Sequence, residues 1–73
     1  MISKERLDKC RSERIINALG GKTILAKKFG VSRQAVDQWA KTGIPAYRVQ
    51  TLRLMYPNTK EIRETDDFQP WLN

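Results

Sequence analysis

Apolar residues in this chain recur at helical spacing rather than in alternation. Glycine and proline interrupt the pattern at Gly20-Gly21, Gly30, Gly43 with Pro45, and Pro57. The segments between these breaks are long enough for short helices, and none shows the alternation of a strand. The pattern therefore predicts an all-α fold of about five short helices in one domain spanning residues 1–73.

Residues 3–19 form the first predicted helical segment. Its apolar members are Ile15, Ile16 and Leu19. Ser12 is a candidate N-cap within the segment, so the segment is predicted to form either one helix or two. Gly20 is predicted to close it, because a glycine after a helix adopts the left-handed conformation without strain.

Two further helices are predicted on either side of Gly30. The second helix starts at the candidate cap Thr23 and ends at that glycine. Its apolar members are Ile24, Leu25 and Phe29. The third helix starts at the candidate cap Ser32 and covers residues 33–41. Its inward-facing members are Ala35, Val36 and Trp39.

The fourth predicted helix has Pro45 in its first turn, where a missing N–H has no cost, and stops at Pro57. Its apolar members are Val49, Leu52 and Met55. Thr59 is a candidate cap for a short final turn that contains Ile62. Residues 65–73 are predicted to be an irregular tail. Its aromatic residues, Phe68 and Trp71, are expected to pack on this core or on another chain.

Residues 22–41 meet the steric requirements of a helix-turn-helix. Two helices that cross steeply over a tight turn need a small residue at the crossing and a glycine in the turn, followed by buried apolar residues. Ala26 and Gly30 occupy the first two positions. The apolar positions are Val31, Val36 and Trp39. Because these requirements are met together at fixed offsets, the pattern predicts a motif that binds duplex DNA.

With its apolar residues turned inward, the third helix has a polar opposite face. This face carries Arg33, Gln34, Asp37, Gln38 and Lys41. Recognition helices present such side chains to base edges in the major groove. Arginine pairs well with guanine and glutamine with adenine. The predicted base-reading residues are Arg33, Gln34, Asp37 and Gln38.

Asp37 has two candidate roles on this face. Its carboxylate can accept a hydrogen bond from cytosine N4, or it can hold Arg33, which lies one helical turn away. The second role is favoured, because a carboxylate close to DNA phosphates is repelled.

Residues at the helix ends around this face are candidates for phosphate contacts. They are Lys22, Thr23, Ser32, Lys41, Thr42, Tyr47 and Arg48. For Thr23 and Ser32, helix capping is the default role. Lys27 and Lys28 are expected to add only to the general positive field.

The basic charge is concentrated over the motif. The chain has a formal net charge of +6. Residues 14–60 contain nine Lys or Arg and one acid, Asp37, whereas residues 61–73 contain one Arg and four acids. This distribution predicts a polyanionic partner. The terminal acids, which are expected to be solvated, are Glu61, Glu64, Asp66 and Asp67.

The composition disfavours catalysis. The chain has no histidine, so neither a Ser–His nor a Cys–His nucleophile pair can be built. Its one cysteine, Cys10, leaves no zinc site and is expected to be semi-buried without a chemical role. We therefore expect no enzymatic activity, metal, cofactor or small-molecule ligand. No apolar run is long enough to span a bilayer, and a lone cysteine favours a cytoplasmic location.

Residues 14–56 resemble the helix-turn-helix of phage Cro proteins and, more closely, the YdaS-like Cro-type regulators of prophages. The resemblance is carried by Ala18-Leu19-Gly20-Gly21-Lys22-Thr23, Leu25-Ala26, Phe29-Gly30-Val31-Ser32-Arg33-Gln34-Ala35-Val36, Trp39, Gly43-Ile44-Pro45-Ala46 and Arg48-Val49. The tail, Phe68-Gln69-Pro70-Trp71, is only loosely similar to the family. The resemblance implies a fold like that of Cro and lambda repressor. It also implies a dimeric repressor that binds a pseudo-palindromic operator in the nucleoid of a bacterial host.

Two other functions remain as alternatives. Val31-Ser32-Arg33, Trp39 and Gly43-Ile44-Pro45 also resemble excisionase-type architectural factors, whose wing needs two strands after the recognition helix. The helical spacing after Pro45 disfavours a wing. The other alternative is an antitoxin or anti-repressor that acts through a protein partner, as proposed for some YdaS-like relatives. The acidic, aromatic tail is its best feature.

Overall fold

A computed structural model of the protein describes residues 6–69. Its helices in this range are α1 (Lys9–Ala18), α2 (Lys22–Phe29), α3 (Arg33–Thr42), α4 (Ala46–Met55) and α5 (Lys60–Arg63). These residues contain no strand, and an isolated bridge pairs Arg6 with Pro45. The predicted all-α fold of about five short helices is confirmed.

The first segment is one helix and begins later than predicted. Asp8 caps α1, and its carboxylate accepts a hydrogen bond from the backbone N–H of Arg11 at 3.0 Å. The prediction of Ser12 as a cap is wrong, because Ser12 lies fully buried inside the helix. Residues 6–8 are not helical, since Arg6 pairs with Pro45 instead.

Glycine residues end α1 and α2, and a serine caps the start of α3. Gly20 follows α1 with a φ of 106°, as predicted. Gly21 is the N-cap of α2, so the prediction of Thr23 as cap is wrong, and Thr23 lies exposed within the helix. Gly30 ends α2 in the left-handed conformation. Ser32 caps α3 as predicted, and its hydroxyl oxygen accepts a backbone N–H of the first turn at 3.2 Å.

The second half of the chain continues as helices. Pro45 is the N-cap of α4 rather than a residue of its first turn. Thr59 is the N-cap of α5 as predicted, although its hydroxyl makes no capping bond. Residues 46–55 are helical where an excisionase-type wing would need two strands. The winged fold is therefore wrong for the described residues.

The core lies around α1, which packs on α2, α3 and α5, while α4 packs on α5. Its largest fully buried side chains are Leu7, Ile15, Ile16, Leu25, Ile44, Leu52 and Ile62. Two predicted core residues are partly solvent-exposed instead, Ile24 at 44% and Met55 at 42%. On the same helices, Leu25 and Leu52 are fully buried and occupy the side that faces the core. Phe68 packs against the core as expected, and Trp71 lies outside the described residues.

Backbone hydrogen bonds join the segment before α1 to the turn between α3 and α4. The N–H of Leu7 donates to the carbonyl of Ile44 at 2.8 Å. The hydroxyl oxygen of Ser12 accepts a bond from the N–H of Ile44 at 3.0 Å, and the hydroxyl lies 3.5 Å from the carbonyl oxygen of Leu7. All three residues are fully buried, so these bonds satisfy polar groups that water does not reach.

The acidic segment after α5 folds back onto α1. Arg11 donates to the carboxylate of Asp67 at 2.8 Å and to the backbone carbonyl of Glu64 at 3.1 Å. Arg14 pairs with the Glu64 carboxylate at 3.8 Å. The hydrogen bond from Arg11 lowers the pKa of Asp67. Both acids are exposed, as expected, and α1 also supplies them with partners from the other end of the chain.

We expect Gly43→Ala to lower the free energy of unfolding far more than Gly30→Ala. A Cβ on Gly43, at a φ of +99°, would lie 2.0 Å from the carbonyl oxygen of Leu7. Gly30 also has a positive φ, but no other part of the described chain lies within 4 Å of its added Cβ. Gly30→Ala therefore isolates a backbone cost of about 1–2 kcal/mol. Gly43→Ala adds a steric cost of about 1–3 kcal/mol. Urea denaturation followed by circular dichroism measures both losses, and equal values would contradict the close approach.

Candidate nucleic-acid interface

The outward face of α3 is polar along its length. Its exposed residues are Arg33, Gln34, Gln38, Lys41 and Thr42, and Asp37 is half-buried. The opposite face of α3, with Val36, Trp39 and Ala40, is buried. The predicted base-reading residues thus lie on the side of α3 that faces away from the core, and their contact with bases stays a prediction. Trp39 belongs to the core, as expected.

A tight turn sets α3 against α2. Ala26 on α2 is only 5% exposed, and its carbonyl accepts a hydrogen bond from the N–H of Val31 at 3.0 Å. Gly30 lies between them with a φ of 65°. A small residue on the first helix and a glycine in the turn are what a helix-turn-helix requires. The arrangement predicted for residues 22–41 is present.

Asp37 forms ion pairs with two lysines. Its Oδ1 lies 2.5 Å from the Nζ of Lys22, at the start of α2, and its Oδ2 lies 3.3 Å from the Nζ of Lys41, one turn further along α3. The predicted pairing of Asp37 with Arg33 is wrong. On a helix, an acid four residues before a base is better oriented than the reverse order, which favours Lys41 over Arg33. The contact with Lys22 depends on how α2 and α3 pack.

The two lysines act on the acidity of this carboxyl group. The hydrogen bond from Lys22 lowers the pKa of Asp37 most, and the bond from Lys41 lowers it further. Asp37 is therefore a carboxylate at neutral pH. It shares a shallow cavity of about 260 Å³ with Arg33 and Gln34. Three of the four predicted base-reading residues thus line one depression in the surface.

Arg48 lies among aromatic rings, and its contact with phosphate stays a prediction. Its guanidinium carbon lies 5.4 Å from the ring centre of Phe29, 5.6 Å from that of Trp39 and 5.1 Å from that of Tyr47. A cation over an aromatic face is attracted by the ring quadrupole. The Nε atom of Arg48 is buried and has no hydrogen-bond partner among residues 6–69. Arg48 therefore ties α4 to both helices of the motif, a role that sequence reasoning missed because the rings come from three segments.

The hydroxyl groups predicted to reach phosphate differ in their hydrogen bonds and exposure. The Ser32 oxygen caps α3 and keeps its proton free to donate. Thr42 donates to the carbonyl of Gln38 at 2.8 Å, so its proton is already used on its own helix. Thr23 and Tyr47 are exposed. Contact of any of these groups with phosphate stays a prediction.

A family model described as bacterial toxin YdaS matches residues 13–55, more than half of the chain. The chain belongs to this family. The predicted resemblance to YdaS-like proteins is confirmed at the level of the family. The matched residues include most of α1, the helix-turn-helix and α4, whereas α5 and the acidic segment lie outside the match. No curated protein and no solved structure matches the chain significantly.

Other chemistry is sparse in the part of this YdaS-family chain that the structure describes. Residues 6–69 contain no group of three or more His, Cys, Asp or Glu side chains arranged to hold a metal ion. Cys10 is exposed rather than semi-buried, because Ser12 and Ile15 occupy the buried face of α1. Within the same range, no helix has both the length and the apolar character needed to cross a membrane.

We expect the carboxyl group of Asp37 to titrate below the pKa of an ordinary aspartate. Lys22→Gln should raise the pKa of Asp37 more than Lys41→Gln, because Lys22 is the larger cause of the shift. Carbon-13 NMR of the side-chain carboxyl group measures the pKa in all three proteins. An unchanged value in both lysine variants would contradict the paired arrangement.

The same titration predicts the sign of the effect on stability. Because the folded-state pKa is lowered, the ion pairs stabilise the fold above the unfolded-state pKa, about 3.9. This contribution is lost as the pH falls through the folded-state value. Asp37→Asn should remove this part of the acid dependence. Hydrogen bonds from Arg11 also lower the pKa values of Asp8 and Asp67. The acid dependence of stability that comes from these two residues should remain in the variant.

Proposed function

We propose that this protein is a sequence-specific regulator that binds double-stranded DNA through α3. The observation that carries the proposal is that the side chains of Arg33, Gln34 and Gln38 are exposed and free to bind a ligand. All three are exposed on the outward face of a helix-turn-helix, and within residues 6–69 none of their side chains makes a hydrogen bond or ion pair. Their donor groups are therefore available to base edges in a major groove.

The charge distribution supports the same partner. Residues 14–60 contain nine Lys or Arg and one acid. Two of the terminal acids, Glu64 and Asp67, have their charge offset by ion pairs with Arg14 and Arg11 on α1. The motif therefore keeps its positive field, which attracts duplex DNA of any sequence.

The regulatory direction that we propose is repression. A helix-turn-helix that binds a promoter can repress transcription simply by occupying the site. This agrees with the Cro-like behaviour that the family resemblance implies, and we expect the protein to lie on the nucleoid of its host cell. No catalytic step is part of the proposal.

A second candidate function is action through a protein partner, as a toxin, antitoxin or anti-repressor. The family description names a bacterial toxin. The observation that favours this candidate is the exposure of apolar residues on α4, where Leu54 is 81% exposed and Tyr47 is 48% exposed. DNA contacts alone do not account for this surface.

We propose that a second copy of the chain covers this surface of α4 when the protein is on DNA. One recognition helix reads only a few base pairs, too little to select a site within a genome. Tyr47, Gln50, Thr51 and Leu54 lie on one side of α4 at helical spacing. None of them is charged, so two copies can pair by this side without repulsion between like charges. A symmetric pair would bind half-sites about one helical turn apart.

We expect Gln38→Ala to weaken binding to the selected site by about 1–3 kcal/mol and to relax the preference at one base pair per half-site. Its affinity for unrelated DNA should hardly change, since that affinity comes from phosphate contacts. The sites are first selected from a random duplex library. Fluorescence anisotropy on selected and scrambled duplexes then measures both affinities. Asn58→Ala is the matched control, because it removes an exposed amide from the turn between α4 and α5.

A loss of equal size on both duplexes for Gln38→Ala would show that α3 does not read the sequence. Lys41→Ala is expected to differ from Gln38→Ala, because it should affect the selected and the scrambled duplex alike. If Lys41 contacts phosphate, its loss weakens binding to both duplexes and lowers the salt slope by about 0.9 per contact.

Leu54→Ser is expected to reduce pairing of the protein on DNA without unfolding it, because the leucine side chain is almost fully exposed in a single copy. Analytical ultracentrifugation on the selected duplex measures how many chains are bound. Ile24→Ser, which removes an aliphatic residue that is 44% exposed on α2, is the control. One wild-type chain bound to a non-palindromic site would refute the dimer.

A further inference from the structure

Asp37 is an unusual residue for a surface that binds DNA. It is the one acid among residues 14–60, and it lies on the outward face of α3 beside Arg33 and Gln34. A carboxylate at this position repels phosphates, so its presence needs a physical explanation. The pairing with Arg33 that the sequence favoured is absent, and the ion pairs with two lysines take its place.

The geometry of these ion pairs uses both carboxylate oxygens. Oδ1 faces the ammonium of Lys22 on α2, and Oδ2 faces the ammonium of Lys41 on α3. Each lysine side chain remains more than one third exposed, 38% for Lys22 and 67% for Lys41. Both ammonium groups are therefore reachable from solvent while they are paired.

A DNA phosphate presents the same kind of acceptor as a carboxylate, an anionic oxygen. A lysine ammonium interacts with either as a point charge. Asp37 neutralises one of the two positive charges in this cluster. A phosphate that approaches Lys22 or Lys41 must therefore displace the carboxylate or bind beside it against repulsion.

We infer that Asp37 is an internal competitor of DNA phosphates for the ammonium groups of Lys22 and Lys41, and that it limits the affinity of the protein for duplex DNA of any sequence. This inference rests on the proposed DNA-binding function. It assigns Asp37 a restraining role, not the reading of a base. Specific binding then depends more heavily on Arg33, Gln34 and Gln38, whose side chains have no partner among residues 6–69.

The test is Asp37→Asn, which keeps the shape of the side chain and removes its charge. The variant should bind a selected duplex and a scrambled duplex more tightly by a similar factor. If each chain then binds one additional phosphate, the salt slope becomes steeper by about 0.9 for each bound chain, or roughly twice that for a dimer, and each added contact is worth roughly tenfold in affinity at 0.1 M salt. Salt titrations followed by fluorescence anisotropy measure both quantities. Thermal melting shows whether the variant is folded.

Two control variants separate this role from a general change in charge. Asp66→Asn changes the net charge by the same amount in the exposed segment after α5, and should have a much smaller effect on the slope. Asp37→Glu keeps a carboxylate and should remain close to wild type. An effect of Asp66→Asn as large as that of Asp37→Asn would overturn the inference.

A double-mutant cycle tests whether Asp37 acts through the lysines. In a Lys22→Gln, Lys41→Gln background, Asp37→Asn should change neither the affinity nor the salt slope by more than Asp66→Asn does. An undiminished effect in that background would also overturn the inference.

The outcomes separate failure of the inference from failure of the proposed function. If Asp37 reads cytosine, Asp37→Asn weakens binding to the selected duplex alone, which overturns the inference and leaves the function intact. If wild type shows no preference between the two duplexes, sequence-specific regulation fails while competition for phosphate is still measured. If neither wild type nor Asp37→Asn binds duplex DNA, both are wrong.

Discussion

The close backbone contact between the segment before α1 and the turn after α3 holds the rest of the structure in place. The N–H of Leu7 bonds to the carbonyl of Ile44, and Gly43 lies so close to Leu7 that no side chain fits there. The buried hydroxyl of Ser12 completes the contact by accepting the N–H of Ile44. In a chain of 73 residues the apolar core is small, so a few buried hydrogen bonds have a large share in fixing the geometry. They anchor the end of α3, and the orientation of its polar face follows.

Charge is arranged around this frame in two separate groups. Arg11 and Arg14 on α1 bind acids of the C-terminal segment. Lys22 and Lys41 enclose Asp37 at the outward face of α3. These pairs are partly exposed, so each adds little to stability. Their main effect is on how positive and negative charge is distributed over the protein surface. The first group pairs terminal acids with arginines on α1, and in the second group a carboxylate offsets part of the lysine charge at the outward face of α3.

Local signals in the sequence were reliable where a single residue decides the backbone conformation. Gly30 and Ser32 occupy the turn and the cap that their chemistry indicates. The same reasoning was wrong for Ser12 and Thr23, because a hydroxyl group that can cap a helix can equally lie inside one. Which role it takes depends on whether a distant partner, such as the N–H of Ile44, needs an acceptor.

The sequence by itself determined the helical pattern, the helix-turn-helix and the outward face with Arg33, Gln34 and Gln38, because these follow from spacing within one segment. It did not determine the partners of the charged residues. Lys22 and Asp37 are 15 positions apart, and the rings around Arg48 come from α2, α3 and α4. Such contacts exist only after the helices have packed, since helix packing places charged groups from different segments within a few ångströms of each other. Tertiary structure alone therefore decided that Lys22 joins Lys41, the local partner on α3, at the carboxylate of Asp37, and that Arg48 is held among aromatic rings.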